Sequence, residues 1–265
     1  MKNFIFNART LVSFVFILSL LLFISCKSAK IQLTGCDHYS GWCNEIREIS
    51  VKSWKYAQLS KNVYESDYKF KLTDYFEEIE SFENTYIDFY STLFLDKMNG
   101  DYVLVFRGTD SFKDFKTGNN PFRQIQNNYA LIVFDYIVNK YNLRNITVTG
   151  HSLGGGMSIH TSLNRPNVIA YSFNGSPVFK KSAEFNNERY SIVENGEVLK
   201  LLRIFGREAT QLYTSIGCSN GNPIKQHDMK SLAVCLTKIA AIEDEEAKMS
   251  LKNNDIEFEY KKDQY

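Results

Sequence analysis

The feature that most constrains this chain is a serine set among glycines directly after a β-branched run, in the stretch ITVTGHSLGGG at residues 146–156. The β-branched run predicts a strand, and the segment after the glycines predicts a short helix. A tight strand-to-helix turn admits only small residues two positions either side of its centre, and Gly150 and Gly154 satisfy that requirement. Such a turn strains the backbone of Ser152 and projects its hydroxyl toward the N–H groups of the helix start. The stretch therefore predicts a presented nucleophile.

The other segments alternate between strand and helix patterns. Strands are predicted at residues 91–96 and 101–108, and the Asn99-Gly100 pair between them is a hairpin signal. Near-continuous apolar runs, typical of parallel strands covered on both faces, follow at residues 145–149, 167–173 and 198–205. Helical spacing is found over residues 45–64, 122–141 and 228–242. The alternation predicts an α/β fold with a mostly parallel central sheet flanked by helices.

The helix predicted over residues 122–141 is amphipathic, and its apolar stripe is expected to pack in the core. The stripe consists of Ile125, Tyr129, Ile132, Val133, Tyr136, Ile137 and Tyr141.

Three stretches, in order along the chain, resemble segments of the class 3, fungal-type lipases. They are TVTGHSLGGG around the serine, YVLVFRGTDSFKDF at residues 102–115 and AYSFNGSPVF at residues 170–179. The resemblance extends over about residues 45–240 and implies an α/β-hydrolase fold with lipase or esterase activity. It also implies that Ser152 works without a metal or an organic cofactor. By the same resemblance, the backbone N–H of Leu153 and Thr109 would form the oxyanion hole.

A serine at its ordinary pKa is a weak nucleophile, so a base must accept its proton. The chain has four histidines. His151 adjoins the nucleophile and is expected to pack beneath it, His160 lies turns away on the following helix, and His38 lies in the N-terminal segment. His227 lies in a loop before the last apolar helix and satisfies the chain order of nucleophile, acid and histidine. We therefore predict His227 as the base.

The acid is expected at the end of the strand predicted over residues 198–205. Class 3 lipases usually have aspartate there, whereas this chain has GREATQL, in which Glu208 is the single carboxylate. A glutamate can orient the imidazole and stabilise the imidazolium. We therefore predict Glu208 as the acid. The alternative is that Glu208 is a solvated partner of Arg203 or Arg207. Asp228 is disfavoured because it adjoins the histidine.

The N-terminus has the pattern of a targeting signal. Lys2 and Arg9 precede the apolar run LVSFVFILSLLLFI, which is short for a transmembrane span and ends at Ser25-Cys26. This resembles a bacterial lipoprotein signal, which implies cleavage after residue 25 and lipidation of Cys26. An uncleaved anchor helix and an ordinary signal peptide are the alternatives. We predict an exported lipoprotein held on a membrane surface, periplasmic or at the cell surface, with a secreted chain as the alternative.

Four cysteines remain besides Cys26, at positions 36, 43, 218 and 235. An even number in an exported chain predicts two disulfides, and three pairings are open. His38 between Cys36 and Cys43 matches no standard zinc spacing, so no metal site is predicted.

The predicted organisation is a signal over 1–25, a tether over 26–44, a hydrolase domain over 45–242 and a charged tail over 243–265, solvated or forming a peripheral helix. A net charge of +1 and a pI of about 7.6 give no reason to expect nucleic-acid binding. The sequence thus predicts a serine hydrolase acting on carboxylic esters, with lipid or phospholipid esters as substrates. The alternatives are an acyltransferase or thioesterase with the same residues, and an inert surface lipoprotein of the same fold.

Overall fold

A computed structural model describes residues 38, 40–64, 68–72, 74–108, 125–178, 183–200, 203, 211–219 and 221–258. The chain consists of two compact units, Met1–Cys36 and Asp37–Tyr265, each with most of its contacts within itself. The fold described below is that of the second unit. The predicted signal segment and Cys26 lie outside the described residues.

A seven-stranded sheet forms the centre of this unit. The strands are β1 (Phe76–Asn84), β2 (Phe89–Asp96), β3 (Tyr102–Phe106), β4 (Ile146–His151), β5 (Val168–Phe173), β6 (Arg189–Glu194) and β7 (Leu212–Ile216). They lie side by side in chain order. The pairs β1–β2 and β2–β3 are antiparallel, and every pair from β3 to β7 is parallel. The predicted hairpin between β2 and β3 is confirmed.

Helices cover both faces of the sheet. They are α1 (Asn44–Asn62), α2 (Ile125–Tyr141), α3 (Leu153–Asn164), α4 (Met229–Ala240) and α5 (Glu245–Asn253). On one face, Val103 and Phe173 of the sheet join a buried cluster with Trp54 of α1 and Leu236 of α4. On the other face, side chains of the neighbouring strand positions pack with α2 and α3. Alternate residues of each strand thus enter opposite cores, as a sheet covered on both sides requires. The α/β-hydrolase fold class is confirmed.

Helix α2 is rotated relative to the predicted stripe. Ile125, Ile132 and Tyr136 are 54%, 62% and 48% exposed, whereas Val133 and Ile137 are buried. The buried face is completed by residues outside that stripe, which are the apolar Ala130 and Phe134 and the polar Gln126 and Asn127. Apolar residues occupy more than one side of this helix, so their spacing identified a helix without fixing which side faces the sheet.

The prediction of a strand over residues 198–205 is wrong. Val198 and Leu199 lie in a turn, and Lys200 and Arg203 are helical. The strand lies earlier, at β6, where a charged residue begins the strand. Arg189 is buried there because its guanidinium donates hydrogen bonds to the backbone carbonyls of Ser162 and Phe185.

The segment after residue 242 belongs to the compact unit. Ala247 and Leu251 of α5 are buried in the core cluster of α1 and α4. The Trp54 indole N–H donates to Asp244 at 2.9 Å, and the Gln58 amide donates to Ser250 Oγ at 3.0 Å. Of the two expectations for this segment, the peripheral helix is therefore the one observed.

One of the open disulfide pairings is resolved. Cys218, after β7, is bonded to Cys235 on α4. Cys43 is also disulfide-bonded, and its partner lies outside the described residues. Within the described part of the chain, no helix has the length and apolar character needed to cross a bilayer.

Candidate active site

Ser152 lies at the turn between β4 and α3 and has a strained backbone. Its φ is 54° and its ψ is −122°, in a region that residues with a side chain rarely adopt. Backbone hydrogen bonds hold this conformation from both sides. The Ser152 N–H donates to Phe173 O at 3.0 Å, and the Ser176 N–H donates to Ser152 O at 2.9 Å. The end of β5 and the turn after it therefore fix the nucleophile turn that the sequence predicted.

The glycines around the serine are required by close backbone approach. A Cβ at Gly154 would overlap the carbonyl oxygen of Phe106 and lie 2.9 Å from its carbonyl carbon. A Cβ at Gly150 would lie 2.5 Å from the carbonyl carbon of Gly154. Strand β3, strand β4 and the start of α3 thus meet at distances that exclude any side chain.

Substituting Gly154 with alanine is expected to lower the free energy of unfolding by about 3 kcal/mol, because the clash is with backbone that cannot move aside. Denaturant unfolding followed by circular dichroism measures this change. Gly217→Ala is the matched control, since a Cβ there meets nothing within 4 Å, and its effect is expected within about 0.5 kcal/mol. Equal stabilities of the two variants would contradict the close approach.

The structure brings His227 to Ser152. His227 ends a short 3₁₀ turn, Lys225–His227, directly before α4. Its Nε2 lies 3.1 Å from Ser152 Oγ, within hydrogen-bonding distance. Asp228 directly precedes α4 and accepts a hydrogen bond from the Ser231 N–H at 2.7 Å, so this carboxylate caps the helix.

The carboxylate that meets His227 belongs to Glu197, a residue that was not predicted from the sequence. Glu197 Oε2 lies 2.8 Å from His227 Nδ1, and the Glu197 side chain is fully buried. Glu208, the predicted acid, lies outside the described residues. The acid was expected at the end of a strand over residues 198–205, whereas the strand observed is β6, which ends at Glu194, three residues before Glu197. Among the described residues, Glu197 is therefore the candidate acid.

Burial and charge keep the His227 ring neutral near pH 7. Burial, with Arg203 adding to its effect, lowers the pKa of His227 to about 4. A neutral ring with Nδ1–H donated to Glu197 leaves the Nε2 lone pair directed at the Ser152 hydroxyl. The arrangement is that of a base positioned to accept the serine proton.

His151 contacts the backbone of His227 and the side chain of Tyr64. Its Nε2 lies 2.8 Å from the His227 carbonyl oxygen, and its Nδ1 lies 2.8 Å from the Tyr64 hydroxyl. Since a carbonyl accepts, Nε2–H donates to it and Nδ1 accepts from the tyrosine. Burial lowers the pKa of His151 well below its usual range, so the ring is neutral. The expectation that this residue packs beneath the nucleophile is refined here, because His151 also binds the backbone of the base.

The described part of the predicted oxyanion hole comes from α3. Leu153 is the first residue of that helix, so its N–H has no partner within the helix. Thr109 lies outside the described residues. Gly108, just before it, lies against the nucleophile turn, since a Cβ there would be 3.1 Å from Ser152 Cβ and would overlap the His151 carbonyl oxygen.

No group of three or more histidine, cysteine or acidic side chains that could hold a metal ion occurs in the described ranges. His38, the histidine between Cys36 and Cys43, contacts Ser40 through Nδ1 at 2.7 Å.

Residues 55–195 match the family model of the Tle-like phospholipase domain. Among solved structures, a Rhizomucor miehei lipase in complex with its propeptide matches at 18% identity and a TM-score of 0.43, over 61% of this chain and 65% of that chain, which is less than two thirds of its length. The Lip2 lipase from Yarrowia lipolytica matches at 17% identity and a TM-score of 0.43, over 65% of this chain and 79% of that chain. A triacylglycerol lipase from Penicillium expansum matches at 12% identity and a TM-score of 0.43, over 66% of this chain and 85% of that chain. Among curated proteins, none matches the sequence.

Proposed function

This chain belongs to the Tle-like phospholipase family, and from that premise we propose that it hydrolyses acyl esters of lipids, phospholipids foremost, through an acyl-enzyme on Ser152. The observation that carries the proposal is the hydrogen-bonded series from Ser152 Oγ through His227 to the buried carboxylate of Glu197. Nucleophile, base and orienting acid in that order are the parts that acyl transfer needs.

In the first half of the reaction, the Ser152 oxygen attacks the ester carbonyl carbon while its proton moves to His227 Nε2. The carbonyl π electrons become a negative charge on the oxygen, which the N–H of Leu153 stabilises, together with Thr109 by family resemblance. Such donors act mainly in the transition state, and losing one costs on the order of 3–4 kcal/mol. The imidazolium then gives its proton to the leaving alcohol oxygen as the ester C–O bond breaks, and the acyl group stays on Ser152.

In the second half, His227 takes a proton from water, and the hydroxide oxygen attacks the acyl carbon. The second tetrahedral intermediate expels the Ser152 oxygen, which recovers its proton from His227 Nε2. The products are a free fatty acid and the original enzyme. Throughout, Glu197 holds the Nδ1–H and offsets the positive charge that forms on the ring, without taking the proton itself.

Phospholipid vesicles test this reaction. Purified chain incubated with them is expected to release free fatty acid and lysophospholipid, measured by mass spectrometry. Adding a short-chain alcohol separates the acyltransferase alternative, because an acyltransferase would give the alcohol ester as its main product. Release of neither product, together with no labelling of Ser152 by a fluorophosphonate, would favour the inert-lipoprotein alternative and contradict the proposal.

We propose that this activity lies on a membrane surface, with the chain exported and lipidated at Cys26. The N-terminal pattern supports this location, and so does the Cys218–Cys235 disulfide, since stable disulfides are typical of oxidising compartments. A lipid-anchored hydrolase would meet its lipid substrate at the bilayer to which it is attached.

Lipidation predicts a mature chain that begins at Cys26 and carries acyl groups. Mass spectrometry of the N-terminal peptide is expected to show that acyl mass, and Cys26→Ser is expected to abolish it and to move the chain from the membrane fraction to the soluble fraction. Ser28→Ala, two residues away, serves as the control and is expected to keep the acyl mass. A wild-type chain cleaved elsewhere, or retaining Met1 without acylation, would contradict the prediction.

A further inference from the structure

Arg203 lies behind the carboxylate of Glu197, on the side away from the histidine. Its guanidinium forms an ion pair with Glu197 Oε1, while Oε2 of the same carboxylate faces His227 Nδ1. The arginine side chain is 8% exposed and the glutamate side chain 0%. Each oxygen of the acid is thus held by a different cationic or potentially cationic side chain, out of contact with solvent.

The same guanidinium reaches the nucleophile turn. Arg203 Nη1 donates to the Gly175 carbonyl oxygen at 2.7 Å. The next residue, Ser176, donates its N–H to the Ser152 carbonyl oxygen at 2.9 Å. One buried side chain therefore connects the acid to the segment that fixes the strained serine.

Local structure explains how Arg203 comes to this position. The Leu199 N–H donates to Glu197 Oε2 at 2.9 Å, and the Arg203 N–H donates to Leu199 O at 3.1 Å. Glu197 thus caps the helical turn that presents Arg203 six residues later. This places the acid and its cation on one short segment of chain.

On the premise of the proposed hydrolase, we propose that Arg203 is a positioning residue, which holds the Glu197 carboxylate against the His227 ring and ties it to the turn that follows Ser152. It acts through Glu197 and His227 and touches no substrate. A guanidinium suits this task because its planar fork donates to a carboxylate and to a carbonyl at once, which a lysine ammonium does less well.

The charge of Arg203 has a second consequence at the histidine. Among the described residues, the charged and titratable groups that contact His227 or act on its charge are Glu197, Arg203, Asp228 and His151. Arg203 offsets the negative charge of Glu197, so that the acid orients the ring without drawing a proton onto it before the reaction begins. Removing the cation is therefore expected to raise the pKa of His227, so that a smaller fraction of the ring is neutral and able to act as a base at low pH.

The test compares Arg203→Gln and Arg203→Lys with wild type, using the pH dependence of kcat/KM on a soluble ester. His227 must be neutral to act, so activity falls as the pH drops through its pKa. Arg203→Gln is expected to move this acid limb upward by about one pH unit or more, to lower kcat and to leave KM nearly unchanged. Arg203→Lys is expected to keep the limb near its wild-type position while kcat stays low, since it restores the charge without the fork.

Arg165→Gln is the matched control, because Arg165 pairs with Asp135 through Nε at 2.6 Å and lies at the far end of α3. Its acid limb is expected to coincide with that of wild type. A folded Arg203→Gln variant with the wild-type kcat and acid limb would overturn the inference, because a merely structural arginine would move neither.

Arg203→Gln leaves a buried carboxylate without its cation and can prevent folding, so a wild-type measurement is needed as well. The His227 ring signals, assigned in an NMR spectrum by their absence in His227→Gln, are expected to remain those of a neutral ring as the pH falls below 6.5. Protonation at pH 6.5 or above would overturn the inference. Failure of the proposed function would look different, since wild-type Ser152 would then resist fluorophosphonate labelling whatever the state of the ring.

Discussion

Replacing Ser152 with alanine is expected to lower kcat for ester hydrolysis by about 10⁶-fold, with KM nearly unchanged, and to abolish covalent labelling by a fluorophosphonate probe. The Ser152 oxygen is the atom that forms the acyl bond, and no other hydroxyl is held beside His227 Nε2 among the described residues. Residual turnover would come from substrate binding and the oxyanion donors alone. Steady-state kinetics on a soluble ester and mass spectrometry of the labelled peptide measure both effects.

Ser162→Ala is the control for this substitution. Ser162 lies on α3, the helix that follows the nucleophile turn, is buried, and donates its hydroxyl to Ile159 O at 2.9 Å. Loss of the Ser162 hydroxyl is expected to change kcat by less than about threefold. A buried hydrogen bond of this kind stabilises the fold by about 1 kcal/mol and takes no part in the reaction. A Ser152→Ala variant that still turned over within tenfold of wild type would remove the acyl-enzyme from the mechanism.

The nucleophile turn could be predicted from the sequence because its causes are local. Gly150 and Gly154 are needed where three backbone segments touch, and the strain at Ser152 follows from that same crossing. His227 could be predicted because few histidines compete and chain order selects among them. In both cases the pattern depends on residues close together in sequence or on a small number of candidates.

The acid could not be predicted in the same way, because it depends on which apolar run becomes a strand. The run VLKLLRIF has the composition of a buried strand, yet its described residues form a turn at Val198 and Leu199 and are helical at Lys200 and Arg203. The real strand, RYSIVE, has charged ends, and its arginine is buried because it donates to the carbonyls of Ser162 and Phe185. A sequence signal was nonetheless present at Asn195-Gly196, where Gly196 turns the chain with a φ of 87°. Because the strand was predicted at residues 198–205 and not at β6, the candidate acid was sought after residue 205 and Glu197 was passed over.

No local sequence pattern predicts the contribution of Arg203. In the sequence it stood as a candidate surface partner for Glu208, whereas in the structure it is buried against Glu197. A buried cation is costly unless it is paired, so its burial depends on the carboxylate and the carbonyl that meet it. Those partners are brought together by the packing of the turn after β5 against the segment after β6, which spacing along the chain does not reveal.

Replacing Glu197 with glutamine is expected to lower kcat by roughly 10⁴-fold, with little change in KM. The substitution keeps the shape of the side chain but removes the charge that stabilises the imidazolium. It also presents an amide that can donate to Nδ1 and so favour the tautomer whose Nε2 carries a proton and cannot accept one from Ser152. Kinetics on a soluble ester, with circular dichroism to establish folding, measure the effect.

Glu208→Gln is the matched control, because it applies the same chemical change to the carboxylate that the sequence first indicated. With Glu197 bonded to His227 Nδ1 at 2.8 Å, the ring has no second position for an orienting acid, so Glu208→Gln is expected to turn over within about threefold of wild type. The pair of variants separates the two assignments in one experiment. A large loss at Glu208 with near-normal turnover at Glu197 would return the acid to the later residue, and it would mean that the loop after β6 takes a different arrangement when the enzyme works.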